Sequence, residues 1–218
     1  MKTSKQTISY SPAEEKTNIV SHAIGLVLSI TALALLVVRA TLYGNTWHVV
    51  SFSIFGSSLI VLFAASTIYH STSTPALRTR LRILDHASIY ALIAGTYTPF
   101  ALVTLRGPLG WVIFGIVWGL ALTGIILKLF FTGRYKIVST LMYVFMGWIG
   151  IIAAKPLVHN LPEEGLVWLF AGGMAYTLGA TLYAIKKIRF NHALFHVFVL
   201  IGSFSHFIAV FFYVLPGK

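Results

Sequence analysis

The chain has 218 residues, of which 57% are hydrophobic and only 10% are charged, and its mean hydropathy is +0.86. A soluble domain of this size would carry about 25% charged residues, so the composition excludes an ordinary soluble protein and indicates a polytopic membrane protein. The net charge of +11 does not indicate nucleic-acid binding, because the basic residues are spread over short connections between apolar segments. The absence of cysteine excludes disulfides and thiolate metal ligands.

Stretches without charged residues predict an all-α bundle of seven transmembrane helices, each close to the ~20 residues that cross the hydrocarbon core. In chain order they lie between Lys16 and Arg39, from about His48 to Tyr69, from Asp85 to about Thr104, between Arg106 and Lys128, between Lys136 and Lys155, between Glu164 and Lys186, and between Arg189 and Lys218. Residues 1–17 are predicted to be a short polar cytoplasmic tail without a signal peptide, and residues 18–218 a single seven-helix domain.

Turn residues mark the connections between predicted helices in the first half of the chain. "YGNT" at Tyr43–Thr46 separates the first helix from the second, and "RGPLG" at 106–110 follows the third. Pro99 lies inside the third predicted helix and is expected to kink it, because proline removes a backbone donor.

The distribution of lysine and arginine predicts the orientation of the bundle. Twelve of the 16 basic residues fall in the N-terminal tail and the connections on its side, and only Arg39, Arg106, Lys155 and Lys218 fall on the other. Positive charge favours the cytoplasmic side, so we expect the N-terminus in the cytoplasm and the C-terminus outside.

Polar side chains concentrate in one layer near this predicted cytoplasmic face. His70 ends the second helix, Asp85 (the only aspartate) begins the third, and His192 and His196 lie in the first turns of the seventh. Ionisable groups at membrane depth are costly and usually face each other or a cavity. The layer is therefore the predicted functional site.

The spacing of His192 and His196 is that of a two-point metal clamp, since residues four apart lie about 40° apart and one turn apart on a helix. His70 from the second helix would be the third ligand and leave the fourth tetrahedral position open to water. Imidazole ligands without cysteine favour Zn²⁺. Asp85 is then a candidate general base or partner of a metal-activated water, and Ser66 a candidate hydrogen-bonding group for the water or a substrate carbonyl.

The other polar residues have simpler interpretations. His206 lies about 21 Å along the axis from His192, too far for a shared ion, and is expected to be a hydrogen-bonded residue inside the bundle. His22 is expected to pack and bond across helices, and His86 to point away from Asp85 towards solvent. Glu14 and Glu15 are expected to cap the first helix. The pair His192 and His196 could also simply bond between helices without a metal.

Five ordered blocks span the chain from Glu14 onward: "EEKTNIVSH", "ASTIYHS", "LDHASIY", "GTYTP" and "HALFHVFVLIGSFSHF". Together they resemble the haemolysin III-related family, the bacterial branch of the progestin and adipoQ receptor superfamily. The resemblance implies seven helices with the N-terminus inside. It also implies zinc ligands at His70, His192 and His196, with Ser66 in the same motif and Asp85 close to the zinc-bound water. The short tail cannot hold the soluble domain of the receptor branch, so hormone recognition is not expected.

The resemblance further implies a chemistry, because the superfamily is similar to alkaline ceramidases. A zinc-dependent lipid amide hydrolase acting in membrane lipid homeostasis is one hypothesis, with membrane lipids or a lipid-derived acyl group as the partner. A non-catalytic sensor or regulator of lipid composition is the alternative. A pore-forming cytolysin is disfavoured because the sequence shows no secretion signal or soluble state, and a zinc or proton transporter because no polar path crosses the bundle.

Overall fold

The computed structural model describes residues 10–131 and 136–215, and over these ranges the chain forms seven long helices. Their bounds are α1 Pro12–Tyr43, α2 Thr46–Ser71, α3 Pro75–Leu105, α4 Gly107–Phe131, α5 Ile137–Asn160, α6 Glu163–Ala184 and α7 Asn191–Val214. Each helix is long and apolar enough to cross a membrane, which confirms the predicted all-α, seven-helix architecture. We call the side of the bundle at which α1 begins and α2 ends the N-terminal face.

The connections predicted from turn residues occur where expected. Asn45 follows the end of α1 and caps α2, because its Oδ1 accepts hydrogen bonds from the backbone N–H groups of Trp47 (3.0 Å) and His48 (3.4 Å). Arg106 and Gly107 adopt left-handed conformations with φ of 39° and 75°, which turn the chain from α3 into α4. These short turns make α1 to α4 consecutive antiparallel neighbours.

The third helix begins ten residues earlier than predicted. It starts at Pro75, whose fixed φ suits the first helical turn, and the turns that carry Arg78 and Arg82 are already helical. The charge pattern predicts where arginine side chains reach the membrane surface, but it does not predict where the helix begins. The helical backbone extends past this surface, to Pro75. Asp85 therefore lies about 15 Å inside α3 and not at its start.

Helix packing leaves an apolar cavity inside the bundle. The most extensive packing joins α1 to α2, α2 to α3, and α6 to α7, and α7 also packs against α1. By contrast, α5 makes few contacts with its neighbours. All seven helices contribute to the cavity wall, and α3 lines it from Asp85 to Tyr97, a distance of about 18 Å along the helix axis.

Irregular turns interrupt three of the helices. The π-helical turns Phe100–Leu105 follow Pro99 directly, at the position where a kink was expected, and Ala209–Val214 ends α7 in the same way. In α5 the 3₁₀ segment Ile149–Ala153 breaks the regular helix. The Tyr97 hydroxyl donates to the Gly147 carbonyl (2.7 Å) and accepts from the Gly150 N–H (2.8 Å). It thus satisfies backbone groups that would be costly to leave unbonded within a membrane.

His206 is buried where α6 and α7 are in close contact. Its Nε2–H donates to the Leu169 carbonyl oxygen at 3.0 Å, which confirms the prediction of a hydrogen-bonded residue inside the bundle. Only a glycine fits opposite its ring, because a Cβ at Gly172 would overlap the imidazole.

Replacement of Gly172 by alanine is therefore expected to destabilise the bundle by about 1–3 kcal/mol, since the His206 ring must move and lose its hydrogen bond. Gly173→Ala is the matched control, because the nearest atoms to its new methyl group are 3.8 Å away on Trp148. The free energy of unfolding in mixed micelles measures the difference. Equal stability of the two variants would contradict the close packing at His206.

Candidate metal centre

Three buried histidines meet at the N-terminal face of the bundle. His70 comes from the last turn of α2, and His192 and His196 from the first two turns of α7. One ring nitrogen from each lies within 4.8 Å of the others, and all three side chains are buried. We call these residues the histidine cluster. The structure thus brings together the three residues predicted from the sequence as metal ligands.

The spacing of the ring nitrogens fits a shared ion. The Nε2 atoms of His70 and His192 are 3.1 Å apart. Two nitrogens bound to one tetrahedral ion at 2.0–2.1 Å lie about 3.3 Å from each other. The cluster could therefore hold a metal ion, and the donor set of three imidazoles suits a divalent transition metal.

Glu15 orients His70. Its Oε2 lies 3.2 Å from the Nδ1 of His70, while its other carboxylate oxygen binds the guanidinium of Arg78 from the start of α3. A carboxylate at one ring nitrogen fixes the tautomer that presents the other nitrogen to a metal. Glu15 lies in the first turn of α1 as predicted, but it was expected only to cap this helix, and its contact with His70 was not predicted. The signal that could have found it is the shared face of Glu15, Asn18 and His22 on α1.

The backbone of α1 orients His196. Its Nδ1 lies 3.3 Å from the carbonyl oxygen of Asn18 and 3.5 Å from the hydroxyl of Ser21. The Nδ1–H can therefore donate to α1, and Nε2 is left for the cluster. The connections from α1 to His70 and to His196 give this helix the main role in holding the ligands.

Two aromatic rings stack on the histidine cluster. His22 lies parallel to His196 with ring centroids 3.5 Å apart, and Tyr10 lies nearly parallel to His192 at 4.7 Å. His22 thus has the predicted packing role, but neither of its ring nitrogens has a hydrogen-bond partner within the described ranges, so the predicted bond across helices is wrong. Burial raises the pKa of the Tyr10 hydroxyl above its ordinary value, so this group stays protonated in alkaline solution as well as at neutral pH.

Asp85 lies on the wall of the cavity together with His192 and His196. Its side chain is 13% exposed, and its Oδ2 is 3.3 Å from the Nδ1 of His86. His86 was predicted to point away from Asp85 to solvent, which is wrong: its ring lines the same cavity. The same Nδ1 lies closer to the carbonyl oxygen of Arg82, at 2.9 Å, and donates its hydrogen bond there, so the ring is an electrostatic neighbour of the carboxylate.

Ser66 lies one turn before His70 on α2 and is almost completely buried. Its Oγ has no hydrogen-bond partner among residues 10–131 and 136–215. An unpaired hydroxyl in an apolar interior costs free energy, so this oxygen has an unused capacity for a hydrogen bond, although Ser66 is not among the residues that line the cavity. Ser66 thus lies on the same helix as His70, one helical turn away from it.

The fold and the site together define a multi-pass membrane protein with a buried three-histidine centre that could bind a metal. The family model for haemolysin-III related proteins matches residues 10–207, and the chain belongs to this family. The resemblance noted in the sequence is thereby confirmed.

Relatives are similar over nearly their full length. The chain is 49% identical to hemolysin-3 of Bacillus cereus over 93% of each chain, and 48% identical to the hemolysin-3 homolog of Bacillus subtilis (strain 168) over 92% of this chain and 94% of the relative. It is 29% identical to the human monocyte to macrophage differentiation factor over 92% of this chain and 84% of the relative. The human protein supports membership of the wider progestin and adipoQ receptor superfamily.

Glu15→Gln is expected to weaken metal binding by about 10- to 100-fold, because it removes the carboxylate that holds His70. Glu14→Gln is the matched control: it makes the same chemical change one residue away, where the carboxylate has no contact with a cluster histidine. Titration of the metal-free protein with zinc against a competing chelator measures both affinities. If both variants bound zinc as tightly as the wild type, Glu15 would have no role in orienting His70.

Proposed function

We propose that this protein is a zinc-dependent hydrolase that cleaves lipid amides and contributes to lipid homeostasis in a bacterial inner membrane. The observation that carries the proposal is the juxtaposition of the histidine cluster, the carboxylate of Asp85 and a long apolar cavity. A cluster that only tied helices together would need neither the carboxylate nor the cavity.

Zinc is the metal that the ligands suit best. His70, His192 and His196 would hold it as three neutral imidazoles, and no cysteine competes. A bound zinc ion supplies Lewis acidity, which lowers the pKa of water and polarises a carbonyl group. Three protein ligands leave a fourth position for this chemistry.

The residues around the cluster have distinct roles in the proposed reaction. Asp85 takes a proton from the attacking water and passes it to the leaving amine as the amide C–N bond breaks. The His86 ring lies beside this carboxylate, with Nδ1 3.3 Å from Oδ2. Ser66 donates a hydrogen bond to the carbonyl oxygen of the substrate.

The cavity is the proposed binding site for the acyl chain. From Asp85 to Tyr97 its wall follows α3 for about 18 Å, more than half of the ~30 Å hydrocarbon core. Apolar side chains such as Ile89 and Val199 line this length. Water is thereby excluded from the chain, and the scissile carbonyl is held at the cluster. The excess of basic residues on this side supports a position of this end of the cavity near the cytoplasm.

The direct test is a turnover assay with purified protein in zwitterionic nanodiscs. A long-chain ceramide serves as the amide substrate, and release of the free fatty acid is followed by mass spectrometry. We expect release with zinc present and none after chelation, with recovery when zinc is restored. Bound zinc with no release from amide or ester lipids would contradict the hydrolase and support a non-catalytic sensor of lipid composition.

A further inference from the structure

The last histidine of α7 has no part in the proposed reaction. His206 is 7% exposed and lies ten residues beyond His196, which is about 15 Å along the helix axis. Its ring forms part of the cavity wall, together with Tyr176 on α6. A polar ring this far inside a membrane helix is costly unless its nitrogens have partners, so the partners of His206 indicate what this part of the cavity is built for.

One nitrogen of the His206 ring has no partner. Because Nε2–H donates to the Leu169 carbonyl oxygen at 3.0 Å, Nδ1 of the neutral imidazole is an acceptor. Over residues 10–131 and 136–215, no carboxylate lies at ion-pair distance from the ring and no donor reaches Nδ1. The ring edge formed by Cδ2 and Nε2 packs against Gly172, so Nδ1 lies on the edge that faces away from this glycine. His206 therefore has one unused acceptor.

A pair of hydroxyl groups beside His206 has one unused donor. The hydroxyls of Tyr176 and Ser203 are 2.9 Å apart and share one hydrogen bond, and the Tyr176 and His206 rings are neighbours with centroids 5.4 Å apart. Two hydroxyl groups carry two hydrogens, and their shared bond uses only one of them. Neither hydroxyl has a further partner in the described part of the chain. We call His206, Tyr176 and Ser203 the deep polar site.

The other hydrogen-bonding side chains at this depth of the cavity are already bonded. The Trp148 indole N–H donates to the Thr177 hydroxyl at 3.0 Å, and the hydroxyls of Thr96 and Thr177 each donate to a carbonyl of their own helix. The Tyr97 hydroxyl bonds two backbone groups of α5. The unused groups of the deep polar site therefore stand in a wall whose other polar side chains need no ligand.

An acceptor and a donor side by side match a hydroxyl group. An alcohol can donate to Nδ1 of His206 and accept from the Tyr176 and Ser203 pair, whereas a carbonyl group would leave Nδ1 unpaired. A plain methylene chain would leave both protein groups unpaired in an apolar interior, which costs free energy. The surrounding wall is apolar, so the rest of the ligand must be a hydrocarbon chain.

We propose that the deep polar site binds a hydroxyl group on a lipid acyl chain, about 12 carbons from the carbonyl group, since an extended chain covers ~15 Å in this number of carbon–carbon bonds. The inference rests on the proposed function in one respect, because it places the acyl chain in the cavity with its carbonyl group at the histidine cluster. It concerns the choice of chain and not its cleavage.

The test compares fatty acids that differ only in the hydroxyl group. Zinc-loaded protein in detergent is mixed with equimolar stearate and 12-hydroxystearate, and native mass spectrometry measures the occupancy by each. We expect the hydroxylated chain to bind about fivefold to tenfold more tightly, as one or two net hydrogen bonds allow. The positional control is 6-hydroxystearate, whose hydroxyl group would meet an apolar part of the wall and should give no preference over stearate.

Two variants test the residues of the deep polar site. Glutamine in His206→Gln keeps an N–H near the position of Nε2 but has no acceptor at the position of Nδ1, and Tyr176→Phe keeps the ring and removes the hydroxyl. Each is expected to reduce the preference for 12-hydroxystearate to less than about twofold. His159→Gln is the matched control, because it makes the same chemical change at an exposed position. One zinc ion per chain shows that each variant is folded.

The outcomes separate this inference from the proposed function. Equal binding of stearate and 12-hydroxystearate, an equal preference for 6-hydroxystearate, or a preference that both variants retain would overturn the hydroxyl site and leave the hydrolase untouched. Binding of neither fatty acid to the zinc-loaded protein would overturn both, because the cavity would then not be an acyl site. A preference for 12-hydroxystearate that is lost in His206→Gln and kept in His159→Gln would establish the site.

Discussion

Asp85→Asn is expected to reduce lipid amide hydrolysis by about 10²- to 10⁴-fold while the zinc content stays at one ion per chain. Asparagine keeps the shape of the side chain but cannot accept the proton of the attacking water, and general acid–base catalysis contributes a factor of this size. Asp85 is not a member of the histidine cluster, so the metal ligands remain in place. The initial rate of fatty acid release and the metal content of the same preparation measure the two effects.

The control for this variant is Glu163→Gln, which changes an exposed carboxylate to an amide at the start of α6, away from the cluster. Its rate should equal that of the wild type. If Asp85→Asn kept more than about a tenth of the activity, Asp85 would not be the proton acceptor. Loss of zinc together with activity would instead assign Asp85 a role in holding the metal.

His196→Ala is expected to abolish stable metal binding, so that the purified variant carries less than about 0.1 zinc per chain. The two remaining histidines cannot complete the three-ligand set of a zinc site. The thermal midpoint of the wild type should fall on chelation, since a ligand that binds only the folded state stabilises it, whereas the midpoint of His196→Ala should not change. Elemental analysis and thermal unfolding with and without chelator measure both effects.

His206→Ala is the matched control for His196→Ala. It removes a buried imidazole from the same helix, ten residues further along, where the ring bonds the Leu169 carbonyl. This variant should lose stability but keep one zinc per folded chain. Loss of metal in both variants would show that general disruption of α7, and not the missing ligand, explains the result.

Much of the fold could be predicted, because a segment that crosses the hydrocarbon core must be a helix of about 20 mostly apolar residues. Apolar runs and turn residues located all seven helices, and the His-x-x-x-His spacing placed two cluster residues on one face of α7. The start of α3 was missed for a physical reason. Charges such as Arg78 report where side chains meet the interface, while the backbone hydrogen-bond ladder continues beyond that point.

The partners of the cluster were not predicted, because they depend on helix-to-helix contacts, and the shared face on α1 shows only which residues lie together and not what they touch. Glu15 looks like an ordinary acidic residue in a first turn, and only the packing of α1 against α2 shows that it bonds His70. The cavity is equally invisible in the sequence, since its wall takes residues from all seven helices.

The contact between His70 and His192 joins two parts of the chain that are far apart in sequence. These residues are 122 positions apart in the chain, and their nitrogens face each other at 3.1 Å. A metal ion shared by them would act as a cross-link that closes a loop of this length. Because such an ion would bind only the folded chain, its binding free energy would add directly to the free energy of unfolding. In a protein without cysteine, the metal would therefore link two distant parts of the chain and, unlike a disulfide, would lose that link when the protein unfolds.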